Sequence, residues 1–297
     1  MILSVNTPLV SVLVTAYNRD KYIRENIESV LASFYTNFEL IISDDASNDN
    51  TVKIAREYES KDTRVKVYVN EKNIGDYNNR NIAAGYATGK YIKYLDSDDI
   101  IFPWGLQVMV HCMEKYPSAA LGLTANVYFD MKYPLLLSPA EAYKMYYFRN
   151  LVLGIGPTGT ILRRELFEAL NGFSGKQFVG DTELWLRIAQ GNNTVWMPPG
   201  LFYWRKHEDQ QIVLEQRDFE IEVKRYELHR YFLNSEDCPL AKEQSVAALR
   251  NLTSIKCRSI LKTLLKGRIV KAYSRKNSLR LTWHDFFLAG LKNKTPR

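Results

Sequence analysis

Asp96-Ser97-Asp98-Asp99 places three carboxylates within four residues, directly after the apolar run Tyr91–Leu95. Gathered at the end of a strand they repel one another unless a cation neutralises them. Hard oxygen donors of this kind suit Mg2+ or Mn2+, with substrate phosphates and waters completing the octahedron; the alternative is a solvated acidic turn. Two other polar clusters stand in the same relation to an apolar run. Thr15-Ala16-Tyr17-Asn18-Arg19 closes the run that begins at Val10 and offers a hydroxyl, a ring, an amide and a guanidinium to a base or a phosphate. Ser43-Asp44-Asp45-Ala46-Ser47 closes the run that begins at Phe38, with residues that also serve as turn and helix-cap formers.

The elements that must position these clusters are legible as alternating periods. Val10–Thr15, Phe38–Ser43, Val65–Val69 and Tyr91–Leu95 are short, apolar and β-branched, as strands are. Between the first two, Tyr22/Ile23, Ile27, Val30/Leu31 and Phe34 recur at helical spacing, which predicts a helix from near Asp20. A second helix is expected after Asn50-Thr51, carrying Val52, Ile54/Ala55 and Tyr58, and a third over Tyr77–Ala87, stopped by Thr88-Gly89. This order predicts an α/β fold with a mostly parallel, Rossmann-like sheet flanked by helices and ligands at the carboxyl ends of its strands. Beyond residue 100 we expect a helix over Trp104–Tyr116, a strand over Ala120–Tyr128 and a helix over Pro139–Arg149. A Gly-rich loop at 154–159 near the ligand follows, then a helix at 181–190, extended segments at 194–204 and a charged helix at 215–233. The text is helical again from Leu240. The expected division is an α/β domain over 1–214 that holds the candidate ligand edge and a basic C-terminal helical region over 215–297.

Composition excludes several classes. With 297 residues, 46% hydrophobic and 25% charged, the chain is neither disordered nor fibrous. Cys112, Cys238 and Cys257 lie far apart without metal-site spacing, which argues against a disulfide framework or a zinc site and fits a cytoplasmic setting. The N-terminal apolar stretch lacks a basic leader and breaks at Pro8, so it reads as a strand and not a signal peptide. No apolar window reaches the ~18 residues of a spanning helix. Charge is divided unevenly: residues 240–297 carry 14 Lys and Arg against Glu243 and Asp285, while residues 1–239 carry 26 basic against 31 acidic side chains. Such a tail suits an anionic membrane surface, a nucleic acid or an anionic partner equally. Trp283, Phe286 and Phe287 within it suit a stacking patch or the apolar side of an interfacial helix.

The ordered set of motifs resembles the inverting glycosyltransferases of family 2, which have the GT-A fold. The resemblance lies in VSVLVTAYNR, ELIISDDASNDNT, NIGDYNNRNIAAGYATGKYIKYLDSDD and, more loosely, GPTGTILRRELFEALNGF followed by GDTELWLRIA, in family order across roughly residues 8–210. It implies that Thr15, Tyr17 and Arg19 form the donor-binding edge, with Tyr17 stacking on the base. It implies that one of Asp44 and Asp45, Asp45 by preference, contacts the base or ribose, and that Asn73, Arg80 and Asn81 lie along the donor. Asp96 matches the first acid of the family's Asp-x-Asp motif, facing the ribose, and Asp98 the last, holding Mn2+ or Mg2+ against the diphosphate. Asp181 matches the catalytic base. The preceding residue is Gly180 where the family carries an acid, and Glu183 is the substitute to test. His207 stands where many relatives carry a histidine near the metal, although a lone histidine also suits the surface. His111 reads as packed in its helix, and Leu184 and Trp185 as core in preference to an acceptor pocket.

The implied activity is transfer of a sugar from a nucleoside-diphosphate sugar, UDP the commonest carrier, to a hydroxyl of a glycan or lipid-linked acceptor in cell-surface polysaccharide synthesis. Peripheral attachment to the inner membrane face through residues 240–297 is expected, and nucleic acid is not the expected partner. A haloacid-dehalogenase-type phosphatase would need its Asp-x-Asp after the first strand. A nicotinamide-dependent enzyme would need G-x-G-x-x-G where TAYNRDKY stands. A nucleotidyltransferase and a non-catalytic nucleotide-binding relative remain as alternatives.

Overall fold

A computed structural model describes residues 7–125, 132–149, 152–207 and 219–290. Contacts divide the chain into two compact units, Met1–Tyr146 with Asn150–Lys206, and Tyr147–Arg149 with His207–Arg297. The boundary expected at 214/215 lies outside the described residues, as do the first residues of the helix expected at 215–233 and the last of the strand expected to reach Tyr128.

The first unit is built on an eight-stranded sheet. Its strands are β1 Val10–Ala16, β2 Phe38–Asp44, β3 Val65–Val69, β4 Tyr91–Asp96, β6 Ala119–Thr124, β7 Leu135–Leu137, β8 Thr160–Arg163 and β9 Asn193–Met197, in the order β3-β2-β1-β4-β8-β6-β9-β7. A separate antiparallel pair joins β5 Ile100–Ile101 to β10 Phe202–Tyr203. The pairs β1–β2, β1–β4, β2–β3 and β6–β9 are parallel, whereas β8 runs antiparallel to both β4 and β6, and β7 to β9. The sheet is therefore mostly parallel, as the alternation predicted, with antiparallel β7 and β8 in its second half. Those two strands are too short for a period of two to register in the sequence.

The helices are α1 Ile23–Leu31, α2 Thr51–Glu59, α3 Asp76–Gly85, α4 Gly105–Lys115, α5 Pro139–Arg149, α6 Arg164–Ala169 and α7 Gly180–Gly191. α1 starts later than the expected Asp20, because residues 20–22 form a turn in which Tyr22 and Ile23 N–H groups both bond the Arg19 carbonyl. Val10, Val12 and Val14 pack with Ile27, Val30, Leu40, Ile42, Leu106 and Met109 in one continuous core. The intervening Leu13, Ile41, Ile92 and Tyr94 are buried too, as parallel strands covered on both faces require. Leu184 and Trp185 are fully buried, and the Trp185 indole donates to the Ile155 carbonyl at 2.9 Å, so both are core. His111 is a correction: it is exposed, because Leu106, Met109, Val110 and Met113 set the inward face of α4 and position 111 falls outside it.

The walk along the sheet goes from β1 outward through β2 to β3 and then returns to β4 on the other side of β1. The carboxyl ends of β1 and β4 thus flank a reversal of strand order, where an open α/β sheet leaves a crevice for ligands.

The second unit is helical: α8 Phe219–Asn234, α9 Lys242–Leu265, α10 Ile269–Ser278 and α11 Trp283–Gly290. Tyr226, Cys257, Ile260, Ala272, Leu279, Leu281 and Ala289 form its core. Glu222 pairs with Lys256 at 3.1 Å and Arg275 at 2.5 Å. Burial works against its charge, but the two cations hold its carboxyl below the usual range. Among the described residues, no helix is long and apolar enough to cross a membrane.

Candidate active site

The end of β1 is fixed by its neighbour. Asn18 takes a left-handed φ of 52°, which asparagine tolerates, and its N–H donates to Ser47 Oγ at 2.8 Å. The Ser47 hydroxyl donates onward to Asp44 at 2.6 Å, and the Ser47 N–H donates to the same carboxylate at 2.8 Å. Asp44 is fully buried; burial pushes its carboxyl up against the pull of the Ser47 bonds. Its observed work is to hold the turn that supports Asn18 and Arg19.

Asp45 has a different task. Its carboxylate accepts from Asn70 Nδ2, the Ile74 N–H and the Gly75 N–H, each at 2.9 Å. It thereby ties down the loop that leads into α3. Gly75 sits at φ 88°, in a region that a side chain would strain. Tyr17 is 41% exposed on the same edge, so its ring is available to a flat ligand. Arg19 Nη1 donates to the Tyr17 and Asn18 carbonyls at 3.1 Å, and its Nε lies 3.8 Å from Asp98.

α3 carries the buried cation of the site. Arg80 donates through Nη2 to Asp96 at 2.7 Å and lies 2.9 Å from Asp76 through Nε. Its guanidinium stands 5.6 Å from the centroid of the Tyr94 ring. A single buried charge would be costly to desolvate; two carboxylates and a ring face offset that cost and raise the Arg80 pKa. Asn81 is turned elsewhere: its amide donates to the Phe173 carbonyl at 2.8 Å and accepts from the Phe173 N–H at 2.9 Å. It holds the loop before α7 and is not gathered with Arg80. Asn73 is exposed.

The Asp-x-Asp turn is held by residues that the sequence reading did not select. Thr158, in the Gly-rich stretch, accepts from the Asp96 N–H at 3.0 Å and donates to Asp99 at 2.7 Å. The Lys93 amine, fully buried, donates to the Tyr94 and Thr158 carbonyls. Arg205 donates its N–H to Asp99 at 3.0 Å and its Nε to the Asp98 carbonyl at 2.9 Å. Asn26 in α1 donates to the Asp96 and Asp99 carbonyls, both at 2.8 Å. Burial first, and then the charge of Asp96, pushes the Asp99 carboxyl up to about 7. Arg205 stands two residues before His207. His207 begins the C-terminal stretch of the second unit.

Each acid of this turn meets protein groups. Asp96 is paired with Arg80, Asp99 accepts from Thr158 and Arg205, and Asp98 meets Arg19 with 14% of its side chain exposed. Among the described residues, no three His, Cys, Asp or Glu side chains form a ready-made metal cage. The donor set fits a cation bound through one carboxylate with substrate phosphates and waters, which is the manner in which Mg2+ is commonly held.

Asp181 opens α7, where its carboxylate accepts from the Thr182 N–H at 2.6 Å. The Asp181 N–H lies 3.4 Å from the Tyr77 hydroxyl. Tyr77 and Arg80 are three apart on α3 and share one face, so one helical turn links the start of α7 to Asp96. Glu183 is 5% exposed, with Lys176 at 3.6 Å and Arg187 at 3.7 Å. It is therefore a buried, paired carboxylate.

This arrangement of a polar strand edge, an acidic strand end and a carboxylate at a helix start coincides with a match of residues 11–170 to the model for Glycosyl transferase family 2. The chain belongs to that family. This glycosyltransferase is 28% identical over 276 residues to an uncharacterized glycosyltransferase of Haemophilus influenzae, covering 88% of this chain and 85% of that one. It is 35% identical over 188 residues, 62% of this chain and 71% of the relative, to the UDP-Glc:alpha-D-GlcNAc-diphosphoundecaprenol beta-1,3-glucosyltransferase WfgD of Escherichia coli. The mannosyltransferase PcManGT of Pyrobaculum calidifontis, solved with GDP-Man and Mn2+, superposes with a TM-score of 0.62 over 97% of this chain and 88% of its own, at 16% identity. That likeness establishes the fold, which is the GT-A arrangement expected from the sequence.

Proposed function

We propose that this family 2 glycosyltransferase transfers a sugar, with inversion, from a nucleoside-diphosphate sugar to a hydroxyl of a glycan or lipid-linked acceptor, in the synthesis of a cell-surface polysaccharide. UDP is the first carrier to test, since a relative's name specifies UDP-Glc. The observation that carries the reading is the α3 link: Tyr77 reaches the base candidate Asp181, and Arg80, one turn on, reaches Asp96 beside the exposed Tyr17 edge.

The nucleotide base stacks on Tyr17, with Arg19 and Arg80 facing the charged part of the donor. Asp181 takes the proton of the acceptor hydroxyl as that oxygen bonds to the anomeric carbon, and the electron pair of the breaking C–O bond leaves on the diphosphate. A positioned base contributes about 10²–10⁴-fold, and attack opposite the leaving group inverts the anomeric centre. Mn2+ or Mg2+, when held by Asp98 and the donor phosphates, supplies charge neutralisation on the leaving diphosphate. Residues 1–214 form the catalytic domain in this reading. Residues 215–297 form a basic helical region that brings the enzyme to an anionic membrane surface where a lipid-linked acceptor resides.

Titration calorimetry with UDP, GDP and dTDP, each with and without Mn2+, tests the donor site. One nucleotide should bind in a metal-dependent way that Asp98→Ala abolishes, and proton NMR of the product should show the inverted anomer. Failure of all three nucleotides to bind would overturn the reading.

A further inference from the structure

The second unit leaves a set of large apolar side chains on its outside. Leu265 is 86% exposed and Val270 84%, with Ile269, Tyr273, Trp283 and Phe287 all above half. These are not scattered. Leu265 ends α9 and Ile269 begins α10 across the Gly267 turn, and Ile269, Val270 and Tyr273 share one face of α10 at spacings of three and four. The opposite face of α10 carries Ala272, which packs into the core of the unit, and Arg275, which reaches Glu222. Lys276 joins α10 to α11: its amine lies 5.9 Å from the Tyr273 ring centroid and 5.0 Å from that of Trp283. Trp283 in turn lies 5.7 Å from Phe286.

The charge around this face has one sign. Between Glu243 and Asp285 the sequence has no acidic residue and ten Lys and Arg. Lys256 and Arg275 are held by Glu222, while Lys266, Arg268, Lys271 and Arg280 are exposed. We infer that the face formed by Leu265, Ile269, Val270, Tyr273, Trp283 and Phe287, with Lys266 in the turn beside it and Lys276 against its rings, is a docking surface for an anionic phospholipid bilayer. This deepens the membrane attachment proposed above and rests on that reading.

The side-chain chemistry selects the bilayer over other anionic partners. Nucleic acid rewards aromatic stacking and phosphate contacts, and it gives nothing to a solvated Leu265 or Val270. A bilayer interface takes all three classes: aliphatic chains enter the acyl boundary, Tyr and Trp sit at headgroup level, and Lys and Arg meet anionic lipids. Pairing this face with a second copy of itself would bring like charges together.

The test is cosedimentation of the full chain with phosphatidylglycerol/phosphatidylcholine vesicles and with pure phosphatidylcholine vesicles. Binding should require the anionic lipid and weaken with salt. Lys266→Ala and Lys276→Ala should each lower partitioning about fivefold, the factor that about 1 kcal/mol per surface lysine corresponds to. Leu265→Ser/Val270→Ser should lower it tenfold or more with its net charge and circular dichroism melt unchanged, since both side chains lie outside the core. Equal binding by Leu265→Ser/Val270→Ser, equal binding to neutral vesicles, or no binding at all would overturn the inference. So would a concentration-dependent dimer or an RNA complex that this variant abolishes. UDP calorimetry on the same variants should match the parent chain, which separates failure of this surface from failure of the donor site.

Discussion

The Tyr77 ring occupies the space that a side chain at position 180 would need. A Cβ placed on Gly180 would lie 2.8 Å from two ring carbons of Tyr77, and the Tyr77 hydroxyl is 3.4 Å from the N–H of Asp181. Tyr77 also packs on Phe173, with ring centroids 5.2 Å apart. Glycine at position 180 thus leaves room for the Tyr77 ring, which steadies the start of α7.

Placing an acid at this position should therefore harm the enzyme. Gly180→Glu is expected to lower kcat at least tenfold and to cost about 1–3 kcal/mol of stability, the usual range for overpacking. Gly180→Ala/Tyr77→Leu should recover part of the stability lost in Gly180→Ala, as a double-mutant cycle by urea unfolding will read. Independent, additive effects would remove the steric account.

Asp181 and Glu183 should separate by readout. Asp181→Asn is expected to lower kcat by about 10²–10⁴-fold and leave the Kd for UDP unchanged. Glu183→Gln should act on folding, because the carboxylate is buried between Lys176 and Arg187. A loss of about 0–1 kcal/mol follows, because both pairs are longer than a hydrogen bond and Lys176 is more than half exposed, with kcat per folded molecule retained. Turnover that collapses in Glu183→Gln and survives in Asp181→Asn would reverse the assignment.

Arg80 gives a third test. It is 6% exposed, and Asp76 and Asp96 both depend on it. Arg80→Leu removes the cation and leaves two carboxylates facing one another, so unfolding free energy should fall by about 3–5 kcal/mol. Arg80→Lys should recover only part, since an ammonium cannot reproduce the two-sided fork. Urea midpoints at constant slope check both.

The sequence disclosed the first half of the sheet nearly to the residue, because buried parallel strands and amphipathic helices print their periods over several turns. It disclosed less of how the edge is held. The motif pair Asp44-Asp45 reads as two equivalent acids, yet one closes the Ser47 turn and the other ties the loop before α3, a division set by which backbone N–H groups approach each carboxylate. Thr158 and Arg205 reach Asp99 from positions 59 and 106 residues away, and no local pattern encodes such contacts. Asn81 sits in a motif one residue from Arg80, but the helical turn of about 100° per residue aims it at Phe173 instead. Lys93 carried no signal beyond a charge in an apolar strand.

That lysine supplies the last prediction. Lys93 is fully buried, and burial pushes its amine down to about 7 from an ordinary 10.5. Between these values the unfolded chain holds a proton that the folded chain has released, so stability rises with pH across that window. Below about 7 both states are protonated and the full cost of burying the ammonium is present; above 10.5 both are neutral and it is gone. Lys93→Met has no such group. The difference in unfolding free energy between Lys93→Met and the parent chain, from urea titrations at pH 6.5, 7.5, 8.5 and 9.5, should be largest at the lowest pH and shrink steadily upward. A difference independent of pH would mean that the Lys93 amine does not change its charge in this window, and that its bonds to the Tyr94 and Thr158 carbonyls hold it as an ammonium throughout.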